Sequence, residues 1–500
     1  MYSRRSILAG FLATAALPAC AGAPETSLRP QARPLTGAQK VKAAHPQASL
    51  ARIVKEAGLS GQHSIVVANA GSGKILESVG ADTALPPASV TKAITALYAL
   101  HNLGGGFRYT TQVVATGNIS GDTLRGDLIL VGGGDPHLDT DGLNNLAKAL
   151  RAKGIRKITG KFRIYSGALP YQDSIDKSQP DHVGYNPAVS GLNLNFNRVY
   201  FEWRRTGNGY ATTMDARTDR IRPKVSGIKM AVVNRQAPLF TYKRGSKVEQ
   251  WTVQRGALGK AGGRWLPVRD LDAYAGEVFR AVAASQGIKL PPGAATGTRP
   301  KGKVLAQQVS GTMAAQVRAM LKFSTNLTAE VTGLTTTRQR GAAARSLAAS
   351  AREMTAWSKK AFGVRGIKFV DHSGLGDASR ISAADMVQVL SRSGWKGPLP
   401  AVLKDHKLVN SKGAAAPIPG VRVKAKTGSL NFVSALSGFI ETPNGKILAF
   451  AIFSADTRRR AGLSKAQRER PEGGRAWRKK AKRMQQRLLR RWALEYGVSS

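Results

Sequence analysis

Pro86-Pro87-Ala88-Ser89-Val90-Thr91-Lys92, running on into Ala93–Leu100, is the stretch on which the reading of this chain turns. Two prolines lead into a run whose Ala, Leu and Lys favour helix. Ser89 therefore falls at or just inside a helix N-terminus. The spacing Ser-x-x-Lys puts the Ser89 hydroxyl and the Lys92 amine on one face, one turn apart. The helix end adds free N–H groups and partial positive charge, both helpful to a developing oxyanion. A serine hydroxyl is a poor nucleophile until a base takes its proton. Lys92 is such a base only when neutral, and burial or the field of another cation such as Lys426 would lower its pKa. Taken alone, an exposed helical lysine beside a capping serine explains the same four residues. Ser-x-x-Lys also occurs at Ser174, Ser226 and Ser393. Neither Ser174 nor Ser226 is followed by a comparable helix.

Two further segments supply what the first lacks. Ser324-Thr325-Asn326 interrupts a helical stretch and offers a hydroxyl and an amide, either as a polar relay or as a plain helix-capping cluster. Lys426-Thr427-Gly428, which occurs once, ends a β-run. A strand there can pair with an extended peptide, and Gly428 lets that backbone approach closely. Lys426 and Thr427 bring a charge and a hydroxyl suited to a carboxylate. A nucleophile, a nearby amine, a relay and an anion-binder, in that order, make acyl transfer without histidine feasible.

At this point the chain resembles a known family. Ser89–Lys92, Ser324–Asn326 and Lys426–Gly428 match the three-part signature of the penicillin-recognising serine enzymes. The long gap between the first two is similar to the class C low-molecular-mass penicillin-binding proteins, the D-alanyl-D-alanine carboxypeptidase/endopeptidase type. Gly132–Pro136, Asn193–Asn197, Val199–Trp203 and Asp371–Leu375 fit the same family, and the resemblance covers roughly residues 50–455. His372 and the very basic tail depart from it. The resemblance implies an α+β fold: an antiparallel sheet flanked by helices, of the serine β-lactamase/transpeptidase type, with a large β-rich insertion. It implies that Ser89 attacks the penultimate D-alanine carbonyl with Lys92 as general base. Ser324 would pass a proton to the departing amine, Asn326 would contact the substrate amide, and Lys426, Thr427 and Gly428 would hold the terminal carboxylate end. Backbone N–H groups of Ser89 and Ser429 would form an oxyanion hole, a contribution on the order of 3–4 kcal/mol. No metal or organic cofactor is implied. The implied partners are peptidoglycan stem peptides, with β-lactams as inhibitors that acylate Ser89. A class C type β-lactamase or esterase usually opens its middle motif with tyrosine, where Ser324 stands. A non-catalytic, basic envelope-binding protein is the other alternative, although every expected side chain is present.

Length and charge agree with an exported enzyme. Five hundred residues exceed what one core usually serves, so two or more domains are expected. A formal net charge of +46 favours anionic partners. No zinc-ligand spacing, basic zipper or aromatic RNA-binding signature accompanies that charge, so no nucleic acid is expected. Arg4-Arg5 followed by an apolar run from Ile7 to Ala19 reads as an export signal over residues 1–21, resembling the twin-arginine type. This predicts a periplasmic location. Leu17–Cys20 resembles a lipobox, so Cys20, the one cysteine, is either a lipid anchor or lies before cleavage at Ala21.

Residues 22–47, rich in Pro, Ala, Gln and Lys, read as a linker. The three motifs lie in 48–104 and 304–500, which together form the expected catalytic domain. Residues 105–303 change character to strand-and-turn pairs around one helix, Thr140–Lys153, and read as an inserted region in two lobes. Three β-runs close the sheet: Val421–Gly428, Ala435–Glu441 and Lys446–Phe453. From Gly474, Trp477, Ala481, Met484, Leu488 and Trp492 recur at helical steps opposite a basic face. This helix either packs its stripe on the sheet, which its narrowness favours, or attaches to an anionic membrane surface.

Overall fold

The computed structural model describes residues 48–497. The export signal, linker and Cys20 readings concern residues outside that range. The catalytic sheet begins after helix α1 (Leu50–Ala57) with the hairpin β1 (Gln62–Asn69) and β2 (Ile75–Val79). Helix α2 (Thr91–Asn102) follows the turn that carries Ser89. After a long intervening region come α3 (Met313–Phe323), α4 (Asn326–Gln339), α5 (Leu347–Phe362) and α6 (Ala383–Ser393). Strands β3 (Arg422–Leu430), β4 (Val433–Glu441) and β5 (Ile447–Ala455) and helix α7 (Gly474–Glu495) complete it.

The five strands lie in the order β3-β4-β5-β1-β2, all pairings antiparallel. Side chains alternate between two cores, as the strand period of two requires. Ile65, Val67, Leu448, Phe450 and Ile452 face one way, with Leu50, Leu488 and Trp492 of α1 and α7. Val66, Ala68, Ala449, Ala451 and Phe453 face the other way, with α2 to α6. Both faces are covered, which is why these strands read as near-continuous apolar runs rather than clean alternations. Strand β3, the carrier of Lys426-Thr427-Gly428, is left at the edge.

The apolar stripe of α7 is buried, with Trp477 and Ala481 against Phe432, and Met484, Leu488 and Trp492 on the sheet. Most of its cations are exposed, while Arg491 pairs with Glu77 at 2.7 Å. The stripe is thus packing surface and is not offered to a membrane. Among the described residues no helix is long and apolar enough to cross one.

Between α2 and α3 the chain builds a second hydrophobic cluster, drawn from residues 113–306. Strand Thr110–Ala115 and strand Lys303–Val309 pair antiparallel, so this region leaves and rejoins side by side. That geometry lets a long segment sit in a fold without pulling its ends apart. The expected helix is present as Thr140–Ala152. A second, Leu271–Ser285, went unread in the sequence although Asp270 caps it by accepting from Ala273 N. The helical stretch around Ser324 forms two helices, α3 and α4, because Ser324 adopts a left-handed φ of 59° and breaks it.

Candidate active site

Ser89 lies in a 3-10 turn, Ala88–Val90, that feeds directly into α2. The turn is held from two sides by residues without side chains. A Cβ on Gly374, whose φ is +74°, would stand 1.9 Å from the Ala88 carbonyl oxygen. A Cβ on Gly428 would stand 2.6 Å from the Pro87 oxygen and 3.0 Å from Ser89 N. Only glycine at both positions lets β3 and the 371–376 loop close on the Ser89 turn.

Lys92 is fully buried one turn along. Its Nζ donates to Ser89 Oγ at 3.0 Å, to Asn326 Oδ1 at 2.7 Å and to the Ser373 carbonyl at 2.7 Å. Burial lowers its pKa to about 8, against the opposing pull of Glu330 and Asp371. The amine is therefore within reach of neutrality near physiological pH while aimed at the hydroxyl it would deprotonate.

Lys426 projects from β3 and is 1% exposed. Its Nζ donates to Ser324 Oγ at 3.0 Å and to the Thr427 carbonyl at 2.6 Å. Burial, then Lys92, then Lys404 hold its pKa well below the usual lysine value. Ser324 can face Lys426 because its left-handed backbone turns the chain out of α3. Asn326 opens α4 and is engaged at both ends, its Oδ1 by Lys92 and its Nδ2 by the Tyr185 carbonyl at 2.9 Å. Ser324 has no hydrogen bond to Lys92, so the two amines address two different serines.

Ser89, Ser324, Asn326 and Ser429 line one cavity of about 310 Å³. Thr427 lies instead along a neighbouring groove. Gln179 and Tyr185 from the intervening region, and Arg460, Arg468 and Glu469 from the segment after β5, complete the cavity wall. That wall is tied across by His182 to Glu469 at 2.8 Å and Arg468 to Ser178 Oγ at 2.7 Å. Among the described residues no three His, Cys, Asp or Glu side chains are placed to hold a metal ion together.

Sequence reasoning missed the support beneath Lys92. Glu330, buried in α4, accepts from His372 N at 3.0 Å and Ser373 N at 2.9 Å. It thereby aims the Ser373 carbonyl at Lys92. Burial, then the neighbouring Asp371, push its carboxyl up. Asp371 caps the next turn, accepting from Gly374 N and Gly376 N at 2.6 Å each. The signal available was Glu330 four residues after Asn326, one helical turn on, amid buried threonines. His372 is packing: its Nε2 lies 2.8 Å from Ser350 Oγ, and burial lowers its pKa to about 3. Two of the other Ser-x-x-Lys copies hold ordinary structural serines. Ser226 Oγ donates to Glu277 at 2.6 Å, and Ser393 ends α6, donating to the Leu390 carbonyl.

The chain as a whole is similar to known proteins. The D-Ala-D-Ala carboxypeptidase 3 (S13) family matches over residues 46–469. A D-alanyl-D-alanine carboxypeptidase of Actinomadura sp. (strain R39) is 27% identical over 431 residues, 80% of this chain and 79% of that one. The crystal structure of penicillin binding protein 4 from Haemophilus influenzae is 20% identical and superposes with a TM-score of 0.69 over 82% of this chain and 93% of that one. The same Haemophilus protein complexed with a β-lactam gives a TM-score of 0.65 at the same coverage. The structural likeness establishes the fold, an α+β penicillin-binding architecture with an added β-rich region. The chain belongs to the D-Ala-D-Ala carboxypeptidase 3 (S13) family and is a serine DD-peptidase of peptidoglycan.

Proposed function

We propose that Ser89 is the nucleophile and neutral Lys92 its general base, cleaving D-Ala-D-Ala ends through an acyl-enzyme. The observation that carries this is the 3.0 Å contact between Lys92 Nζ and Ser89 Oγ, made by an amine whose pKa burial has brought to about 8. Proton transfer from Ser89 to Lys92 accompanies attack on the carbonyl carbon. Ser324, poised on Lys426, delivers a proton to the departing amine. A substrate carboxylate at Lys426 and Thr427 favours the charged form of Lys426 and so binds where burial alone disfavours charge. The substrate backbone pairs with the free edge of β3, with Gly428 and Ser429 alongside it. Asn326 Nδ2 turns from the Tyr185 carbonyl to the substrate amide. Water entering the 310 Å³ cavity then hydrolyses the ester.

The same residues serve cross-linked peptides, because only the leaving amine differs, free D-alanine or a diaminopimelate-bearing stem. β-Lactams acylate Ser89 by the same attack, a reading supported by the β-lactam complex of the Haemophilus protein. The enzyme works in the periplasm, following export on its N-terminal signal. Residues 48–104 and 304–500 form the catalytic domain around an insertion, 105–303, whose own hydrophobic cluster supports the division. Incubation with cross-linked muropeptides, followed by mass analysis of the products, tests the activity. Release of D-alanine and of monomers is expected. Intact substrate, or products cut at an amide other than D-Ala-D-Ala or D-Ala-diaminopimelate, would contradict it.

A further inference from the structure

A second concave space adjoins the catalytic cavity. It is a groove of about 1410 Å³ between α1, α7 and the 406–413 loop, it reaches Thr427 on β3, and the carboxylate in its wall, Glu56, is paired with Arg487 and Arg52. Arg478 lines both spaces. The groove wall carries Arg475, Arg478, Lys479, Lys482, Arg483 and Lys412, and none of the six has an ion-pair partner among the described residues. The Nε of Arg478 is buried with no hydrogen-bond partner. Unpaired cations packed this closely repel one another, so the groove is set to favour an anion that crosses it. Trp477, Leu488 and Trp492 fix α7 in the core, which makes the cationic wall rigid.

We propose that this groove binds the acidic peptide arm of a cross-linked muropeptide, the part of the substrate that extends beyond the dipeptide end. The inference rests on the DD-peptidase reading above and extends it to substrate choice. Arg478, which lines both spaces, and Thr427, which lies on the groove side next to Gly428 and Ser429, put the groove on the path of a larger substrate. A stem peptide carries free carboxylates along an extended chain, matching a long cationic trough. A flat bilayer suits a concave trough less well, and the apolar side chains of α7 that could enter a bilayer are buried.

The test compares binding to the full chain carrying Ser89→Ala, with and without Lys479→Gln/Lys482→Gln/Arg483→Gln. The ligands are a cross-linked muropeptide dimer and a short blocked tripeptide ending in D-Ala-D-Ala. The triple change is expected to weaken the dimer about tenfold and to flatten its salt dependence, leaving the tripeptide within about twofold. An unchanged dimer affinity overturns the proposal, as does equal weakening of both ligands. Unchanged dimer affinity with loss of sedimentation on vesicles containing phosphatidylglycerol would assign the groove to lipid instead. Turnover by the Ser89 protein is measured alongside. Its absence would refute the catalytic reading, while the binding comparison would still decide the groove.

Discussion

The side-chain carbonyl of Asn326 accepts a 2.7 Å hydrogen bond from Lys92 Nζ across 234 positions of sequence. With the Ser373 carbonyl on the same amine, it leaves Ser89 as the remaining hydrogen-bonded partner of Lys92. Lys92 is thus oriented by groups from two separate segments, and each is fixed by something behind it. Asn326 is anchored to Tyr185, and Ser373 to Glu330.

Glu330→Gln should expose this support. The glutamine offers one acceptor where the carboxylate holds two N–H groups, so the Ser373 carbonyl loses its aim. Acylation should slow on the order of tenfold, the kinetic equivalent of about one weakened hydrogen bond. Ionised Glu330 raises the Lys92 pKa while burial favours its neutral form, so Glu330→Gln should move the acid limb of the pH profile downward over the range in which the carboxylate is ionised. A purely structural role would leave that limb in place.

The pH dependence of the native enzyme follows from Lys92 itself. Its pKa is lowered from the ordinary lysine value to about 8, so the neutral fraction grows as pH rises through 8. Acylation by a labelled penicillin should therefore fall about tenfold per pH unit below that point and level off above it. Stopped-flow rates between about pH 5 and about pH 9 check this. A flat profile would mean that no amine of this kind acts.

Gly428→Val should separate binding from folding. Its Cβ meets the Pro87 carbonyl at 2.6 Å and Ser89 N at 3.0 Å, so the strand and the nucleophile turn must part. Acylation should drop roughly a hundredfold, the loss expected from displacing reacting groups by about 1 Å. The thermal midpoint should move less than for a core change, because β3 is an edge strand.

Gly333→Ala is expected to act on stability. A Cβ there would stand 2.1 Å from Cγ of buried His372, and neither α4 nor the imidazole has room to give. Overpacking of this kind costs about 1–3 kcal/mol. Denaturant titration should show the loss, and Gly333→Ala with His372→Ala should recover part of it.

Much of this site is legible from residue order. Ser89, Lys92, Ser324, Asn326 and Lys426 meet as their types and spacing suggest, because helix start, helix break and strand end are local features with local signals. The stripe of α7 is legible for the same reason, since its period fixes which face is buried. Glu330, Arg460 and the Gln179–Tyr185 wall are not, because their roles exist only once distant segments meet. Thr427 shows the limit from the other side: its motif is clear, yet the groove it lines is set by the 406–413 loop and a helix that begins nearly fifty residues later. The Leu271–Ser285 helix escaped notice because Gly276 and its aromatic residues weaken the helical signal that its packing against the helix Thr140–Ala152 overrides.

The most direct measurement is the rate and location of penicillin acylation in the native chain and in Lys92→Gln, read by mass spectrometry of proteolytic peptides. The native chain should carry one penicilloyl group, on the peptide containing Ser89. Lys92→Gln should acylate on the order of 10²–10⁴-fold more slowly while keeping its fold. An adduct on any other residue, or an unchanged rate in Lys92→Gln, would contradict the account.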